Sequence, residues 1–184
     1  MNCRRYRLDQ VANFRDLGGY AWDGGVTRYG VIFRSTALNK ATEEDIAKIE
    51  HLGVRTVIDL RFPSETKELP DRLGQDMDYI NCSLMGTTKL EQLDIVNSSV
   101  VETKTLHRMY RLMLRNGGKE IKKALEVVAD SEGAVLFHCA AGKDRTGILA
   151  GVAGVLGNNG VSINQVIQKP AVNGVAELVV ITDK

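Results

Sequence analysis

The run His138-Cys139-Ala140-Ala141-Gly142-Lys143-Asp144-Arg145-Thr146-Gly147 constrains this chain more than any other stretch. Before it, Ala134-Val135-Leu136-Phe137-His138-Cys139 reads as a strand, and after it Thr146 to Asn158 reads as a helix. A short loop that runs from a strand into a helix N-terminus can turn its backbone N–H groups inward. The result is an anion nest reinforced by the helix dipole.

Each residue type in the loop suits one task. A nest of this kind acidifies a cysteine, so Cys139 is expected to be a thiolate able to attack phosphorus and form a phosphocysteine intermediate. Arg145 can grip two equatorial phosphate oxygens and stabilise charge in the transition state. Thr146 is placed to donate its hydroxyl to the sulfur, and His138 to order the loop backbone. Gly142 permits a backbone angle that a side chain resists. Ala140, Ala141, Lys143 and Gly147 complete the set expected to surround the phosphate. Cysteine and arginine at this spacing arise often by chance, and the flanking elements make the motif specific. The competing reading is a buried Cys139 with Arg145 merely capping a surface helix.

Loss of the leaving group requires a positioned acid. There is no Trp-Pro-Asp loop, since the single tryptophan is Trp22 and no proline follows it. Two carboxylates compete. Asp59 ends the run Val54-Arg55-Thr56-Val57-Ile58-Asp59-Leu60, at the strand edge where open α/β sheets place ligands. Asp144 lies inside the loop. Asp59 is slightly preferred, against the alternative that it forms a structural ion pair with Arg61 or Arg145.

Strand and helix signals alternate through the first three quarters of the chain, which indicates an α/β domain. Thr42 reads as an N-cap, with Ile46, Ile49 and Leu52 at helical spacing and Gly53 as the stop. Val54 to Leu60 reads as a buried strand, and Arg61-Phe62-Pro63-Ser64-Glu65 as a loop. Residues 83–102 lack periodicity and read as loop or lid. Leu106, Met109, Tyr110 and Met113 form a core-facing helical stripe ended by Gly117-Gly118. A second helix puts Ile121, Ala124, Leu125 and Val128 on one face.

The remaining properties exclude several classes. The 184 residues carry a formal net charge of +1, which offers no general attraction to nucleic acid or membrane, so any anion affinity is local. Cys3, Cys82 and Cys139 are too few and too scattered for a disulfide framework or a metal cluster, and a reducing compartment suits a reactive thiol. No metal or cofactor is expected. The basic opening Met1 to Arg7 lacks an apolar continuation, and Ile148 to Gly157 is too short to span a bilayer. A soluble, cytoplasmic protein is expected.

The loop, together with Asn13-Phe14-Arg15-Asp16-Leu17-Gly18-Gly19-Tyr20, Phe33-Arg34-Ser35, Val57-Ile58-Asp59-Leu60-Arg61 and Met109-Tyr110-Arg111, resembles the bacterial-type tyrosine phosphatases of the atypical dual-specificity, lipid-phosphatase-like group. The likeness runs from about Asn13 to Gly147. It implies a cysteine-phosphatase sheet flanked by helices and activity on phosphotyrosine, often also on phosphoserine, phosphothreonine or phosphoinositides, with inorganic phosphate as product. Under it Cys139 is the nucleophile, Arg145 the phosphate clamp, and Lys143 and Asp144 the distinctive loop pair. Lys143 would favour polyanionic substrates, unless it is simply solvated.

The end of the chain departs from that pattern. Residues 1–160 read as the phosphatase domain and 161–184 as a separate C-terminal segment. Val161 to Lys169 and Val175 to Thr182 read as two strands joined around Asn173-Gly174. With Asp144 to Ala150 and Gly154 to Gly157, this tail resembles part of an ACT regulatory domain, as in homoserine dehydrogenases. Three other readings follow: a catalytically impaired phosphate- or phosphoinositide-binding module, an amino-acid-sensing fusion, and a rhodanese-like sulfur transferase. The sequence Lys143-Asp144-Arg145-Thr146 fits phosphate better than sulfur transfer.

Overall fold

A computed structural model of the chain describes residues 4–22, 25–84, 103–158, 165–168 and 178–181. Its centre is a five-stranded sheet. The strands are β1 (Arg15–Asp16), β4 (Ile32–Ser35), β5 (Val54–Asp59), β6 (Asp78–Asn81) and β7 (Ala134–His138), in the spatial order β1-β4-β7-β5-β6. The last four run parallel, and β1 is an antiparallel edge. Two short strands, β2 (Ala21–Trp22) and β3 (Gly25–Val26), form a separate antiparallel pair.

The buried runs explain the central strands. All five residues of β7 are buried, as parallel pairing on both sides demands. Val135 and Phe137 enter one core layer while Ala134 and Leu136 enter the other. A register irregularity between Val54 and Thr56 lets Val54 and Val57 share a layer despite their odd spacing.

Helix α1 (Glu43–His51) covers one face through Ile49. Its start is fixed by a reciprocal capping box between Thr42 and Asp45, and Gly53 (φ +83°) follows its end. Helices α3 (Thr103–Asn116), α4 (Gly118–Asp130) and α5 (Asp144–Asn158) follow the expected spacing. Ile121, Ala124 and Leu125 of α4 and Leu149 of α5 pack on the face that holds Val135 and Phe137. The stretch expected as loop after β5 contains instead a short helix, α2 (Pro63–Glu68). Pro63 supplies a preset helical φ at its first position, and the Glu65 carboxylate accepts from the Phe62 amide (2.8 Å). Most of the stretch read as loop or lid (83–102) lies outside the described residues.

Near the end of the chain β8 (Gln165–Gln168) and β9 (Leu178–Ile181) pair antiparallel, as the tail pattern predicts. The turn expected around Asn173-Gly174 is outside the described residues.

Register decides where chemistry can occur. Ser35, His138, Asp59 and Asn81 lie level across four parallel strands at their carboxyl ends. The chain passes from β4 across to β5 and later returns to β7 between them. This arrangement opens a crevice just beyond His138.

Candidate active site

Cys139 follows β7 directly and is 2% exposed at the base of the loop. Three successive loop carbonyls are held from outside. The Ala37 amide donates to Ala140 O (3.2 Å), Asn13 Nδ2 to Ala141 O (3.1 Å) and Arg34 Nη2 to Gly142 O (2.8 Å). Because a trans peptide points its C=O and N–H in opposite directions, carbonyls pinned outward turn the following amides inward. Among the described residues, the amides of 140–143 donate to no other protein group. That concave row is an anion nest.

Gly142 allows the loop to sit this close to its scaffold. Its φ is +65°, and a Cβ there would lie 2.3 Å from the carbonyl oxygen of Ser35. Asn13, which ties Ala141, is itself left-handed (φ 56°) and accepts from Arg15 Nη2 at 3.2 Å. The upstream motif is thus a brace for the loop, completed by Asp16, whose carboxylate caps the amides of Gly18 and Gly30.

Arg145, the second residue of α5, is paired with Glu65 of α2, its Nη1 at 2.5 Å and Nη2 at 3.0 Å from the two carboxylate oxygens. Its guanidinium also lies 5.5 Å from the centre of the Phe62 ring. Burial works against the charge on Arg145, but the Glu65 bonds outweigh it and hold its pKa above the usual value. Burial likewise opposes the Glu65 charge, and its bonds to Arg145 and Phe62 bring its pKa below the ordinary carboxylate range. Arg34 has no acidic partner among the described residues. Burial first, and then the charge of Arg15, lower its pKa, while Cys139 acts in the other direction.

Beneath the loop lies a buried polar network. Asp59, fully buried, accepts from Arg61 Nε, Arg61 Nη2 (2.7 Å), the Arg61 amide and the Tyr79 hydroxyl (2.9 Å). Arg61 Nη2 also reaches Asp71 (2.9 Å), whose other oxygen accepts from the Leu38 amide. His138 Nε2 lies 3.0 Å from Asp71 Oδ2, off the direction of a well-aligned hydrogen bond. Asp59, Asp71 and His138 converge closely enough to surround a cation, and Arg61 places its guanidinium against both carboxylates. Burial opposes the Asp71 charge, but His138 and Arg61 prevail and lower its pKa.

The two candidate acids therefore occupy different settings. Asp59 forms the ion pair with Arg61 that stood as its alternative reading, with both oxygens engaged. Asp144 opens α5 in a half-buried position, and its Oδ1 accepts the Tyr110 hydroxyl at 2.5 Å. Lys143 is exposed. The bond expected from Thr146 to the sulfur is not formed: its hydroxyl is buried with no hydrogen-bond partner among the described residues.

Sequence reasoning passed over Glu65, Asp71 and Tyr110 as parts of the site. Glu65 fell in an assumed loop, Tyr110 in a packing stripe, and Asp71 carried no local signal. The Asn13 and Arg34 segments were visible as motifs, without the bracing role that the structure gives them.

An α/β sheet with an anion nest at its central strand, a cysteine at the base and an arginine at the helix start is the frame of a cysteine-loop domain. The chain belongs to the tyrosine phosphatase family, whose sequence model matches residues 6–169. The match crosses the boundary expected at residue 160 and reaches just past β8. A tyrosine-protein phosphatase of Nostoc commune is 38% identical over 122 residues, covering 65% of this chain and 40% of that protein. A candidate tyrosine-protein phosphatase of Cupriavidus necator is 31% identical over 151 residues, covering 78% and 54% respectively. The chain thus spans only about half, or less, of the length of these curated relatives. No helix among the described residues is long and apolar enough to cross a membrane.

Proposed function

We propose that this chain is a cysteine-dependent phosphatase that hydrolyses phosphotyrosine through phospho-Cys139, by a route that needs no metal. The observation that carries the reading is the outward pinning of the Ala140, Ala141 and Gly142 carbonyls, which leaves a row of amides above Cys139 unspent among the described residues. Substrate phosphate binds to that row and to Arg145. Cys139 Sγ attacks phosphorus as the bond to the leaving oxygen breaks, and a carboxylic acid supplies the proton that oxygen requires. We assign that proton to Asp144 rather than Asp59, because among the described residues Asp144 has an uncommitted oxygen at the loop and Asp59 is spent on Arg61 and Tyr79. In the second step water attacks the phosphocysteine, Asp144 takes its proton, and inorganic phosphate leaves with the thiolate restored.

Phosphoserine, phosphothreonine and phosphoinositides are further candidate substrates, supported by the exposed Lys143 beside the nest. A cytoplasmic setting suits the unpaired thiols of Cys82 and Cys139. Residues 161–184, with the β8–β9 pair, are read as an appended ACT-like unit on the phosphatase domain 1–160. The test is release of inorganic phosphate from 4-nitrophenyl phosphate and from a phosphotyrosine peptide. Turnover by the wild type and none by Cys139→Ser supports the enzyme. Phosphate binding by both proteins without turnover would leave a binding module in its place.

A further inference from the structure

We infer that Tyr110 is a positioning residue for proton delivery: its hydroxyl fixes the Asp144 carboxyl by Oδ1, leaves Oδ2 for the leaving oxygen, and stabilises the charge that appears on Asp144 as its proton departs. This rests on the assignment of Asp144 above.

Three observations carry it. First, the Tyr110 hydroxyl and Asp144 Oδ1 are 2.5 Å apart, across 34 residues of sequence. That is short enough for the charge-assisted hydrogen bond it becomes once the Asp144 proton has left. Second, the phenol is anchored. Tyr110 sits in a small apolar cluster with Met113, Phe62, Met109 and Ile148, so α3 and α5 hold the donor and the acceptor in fixed relation. Third, the bond to Asp144, with burial adding to it, raises the Tyr110 pKa, so the hydroxyl remains a donor through the neutral range.

Asp144 opens a helix, where its backbone is fixed but its side chain has rotamers to choose from. A tyrosine that only packed would not need its hydroxyl directed at the carboxylate of the loop. As the P–O bond to the leaving group breaks and the S–P bond forms, the Asp144 proton moves to the leaving oxygen. The hydrogen bond from Tyr110 strengthens with the negative charge left behind and so favours the transition state over the ground state. No proton of Tyr110 is consumed.

The test uses the full chain with Tyr110→Phe, Asp144→Asn and the double variant, assayed on 4-nitrophenyl phosphate and on phenyl phosphate, whose leaving group is far more basic. Tyr110→Phe is expected to lower kcat for phenyl phosphate roughly tenfold, the scale of one hydrogen bond to a charged group. It should leave 4-nitrophenyl phosphate turnover and both KM values within about twofold. In the Asp144→Asn background the Phe substitution should do nothing more. Tyr110→Met, which keeps apolar bulk without a donor, should reproduce the same leaving-group dependence should Phe disturb the fold. Equal loss on both substrates, or full additivity with Asp144→Asn, would overturn the inference. If Asp144→Asn is itself indifferent to the leaving group, the acid assignment fails and takes the inference with it. If Asp144→Asn is sensitive and Tyr110→Phe is not, only the role of Tyr110 fails.

Discussion

Glu65 grips Arg145 with both carboxylate oxygens, joining the first helix after β5 to the first turn of the helix after the loop. Under the proposed mechanism Arg145 closes on phosphate, and Glu65 holds its guanidinium in place before any substrate arrives. Arginine carries about 2 kcal/mol of rotamer entropy, and fixing it beforehand removes that cost from binding. Glu65→Gln keeps the shape but weakens the hold. We predict about a tenfold fall in kcat/KM and a weaker inhibition constant for inorganic phosphate, with the fold unchanged by circular dichroism. An unaltered phosphate constant would separate Glu65 from the site.

The buried pair of Asp59 and Arg61 predicts a different kind of defect. Asp59→Asn leaves Arg61 with less compensation in the interior and should cost about 3–5 kcal/mol of stability, read from urea unfolding. Asp144→Asn should leave the urea midpoint near wild type and slow substrates with basic leaving groups. Exchange of these two phenotypes would reverse the assignment of the acid.

Gly142→Ala places a methyl group 2.3 Å from the Ser35 carbonyl oxygen at φ +65°. The loop must move, and Arg34 loses its hold on the Gly142 carbonyl. Backbone strain of this kind costs about 1–3 kcal/mol, so the protein should remain folded. Hydrolysis should nevertheless fall by roughly a hundredfold, since the amides no longer converge on one oxyanion. Steady-state kinetics beside a thermal melt would show the dissociation of activity from stability.

Acid should unfold the protein through carboxylates whose native pKa values are depressed. Burial opposes the charge on Asp45, but the amides of Gln10, Asp9 and Thr42 and the Thr42 hydroxyl outweigh it. Against the opposing effect of burial, Glu65 is lowered by its bonds to Arg145, and Asp71 by His138 and Arg61. A group lowered in the folded state contributes fully above its unfolded pKa, about 3.9–4.3. That contribution is lost as pH falls from there towards the native value. The urea midpoint should therefore be nearly flat from about pH 7 to 5 and drop below about pH 4.5. Asp45→Asn should start lower and fall less steeply.

Burial pushes the Cys82 thiol up to about 11, so it should stay unmodified by iodoacetamide at neutral pH. Under the proposed mechanism Cys139 is alkylated ahead of Cys82, activity is lost in step with its labelling, and inorganic phosphate slows both. Peptide mapping by mass spectrometry checks the order. Cys82 labelled ahead of Cys139 would contradict it.

Local chemistry made much of this legible. The apolar run Ala134 to Phe137, the glycine in mid-loop and the arginine opening a helix are read within one stretch of chain, because each expresses a backbone preference or a periodicity. So are the capping of α1 by Thr42 and the stripe on α4. Helix α2 is not legible in the sequence because six residues begun by proline and otherwise polar look like a loop.

What the sequence determined, then, was the strand-loop-helix unit and the cysteine, arginine and glycine within it. Only the tertiary structure decided which charge meets which. Arg145 with Glu65 spans 80 residues, Asn13 with Ala141 spans 128, and Tyr110 with Asp144 spans 34. The same holds for Asp59, which ends its strand as a donor-saturated partner of Arg61 rather than as a free acid. Such pairings follow from strand order and helix placement, which no local propensity encodes. A side chain's chemistry is written in its own position, but its partner is set by the way distant segments pack.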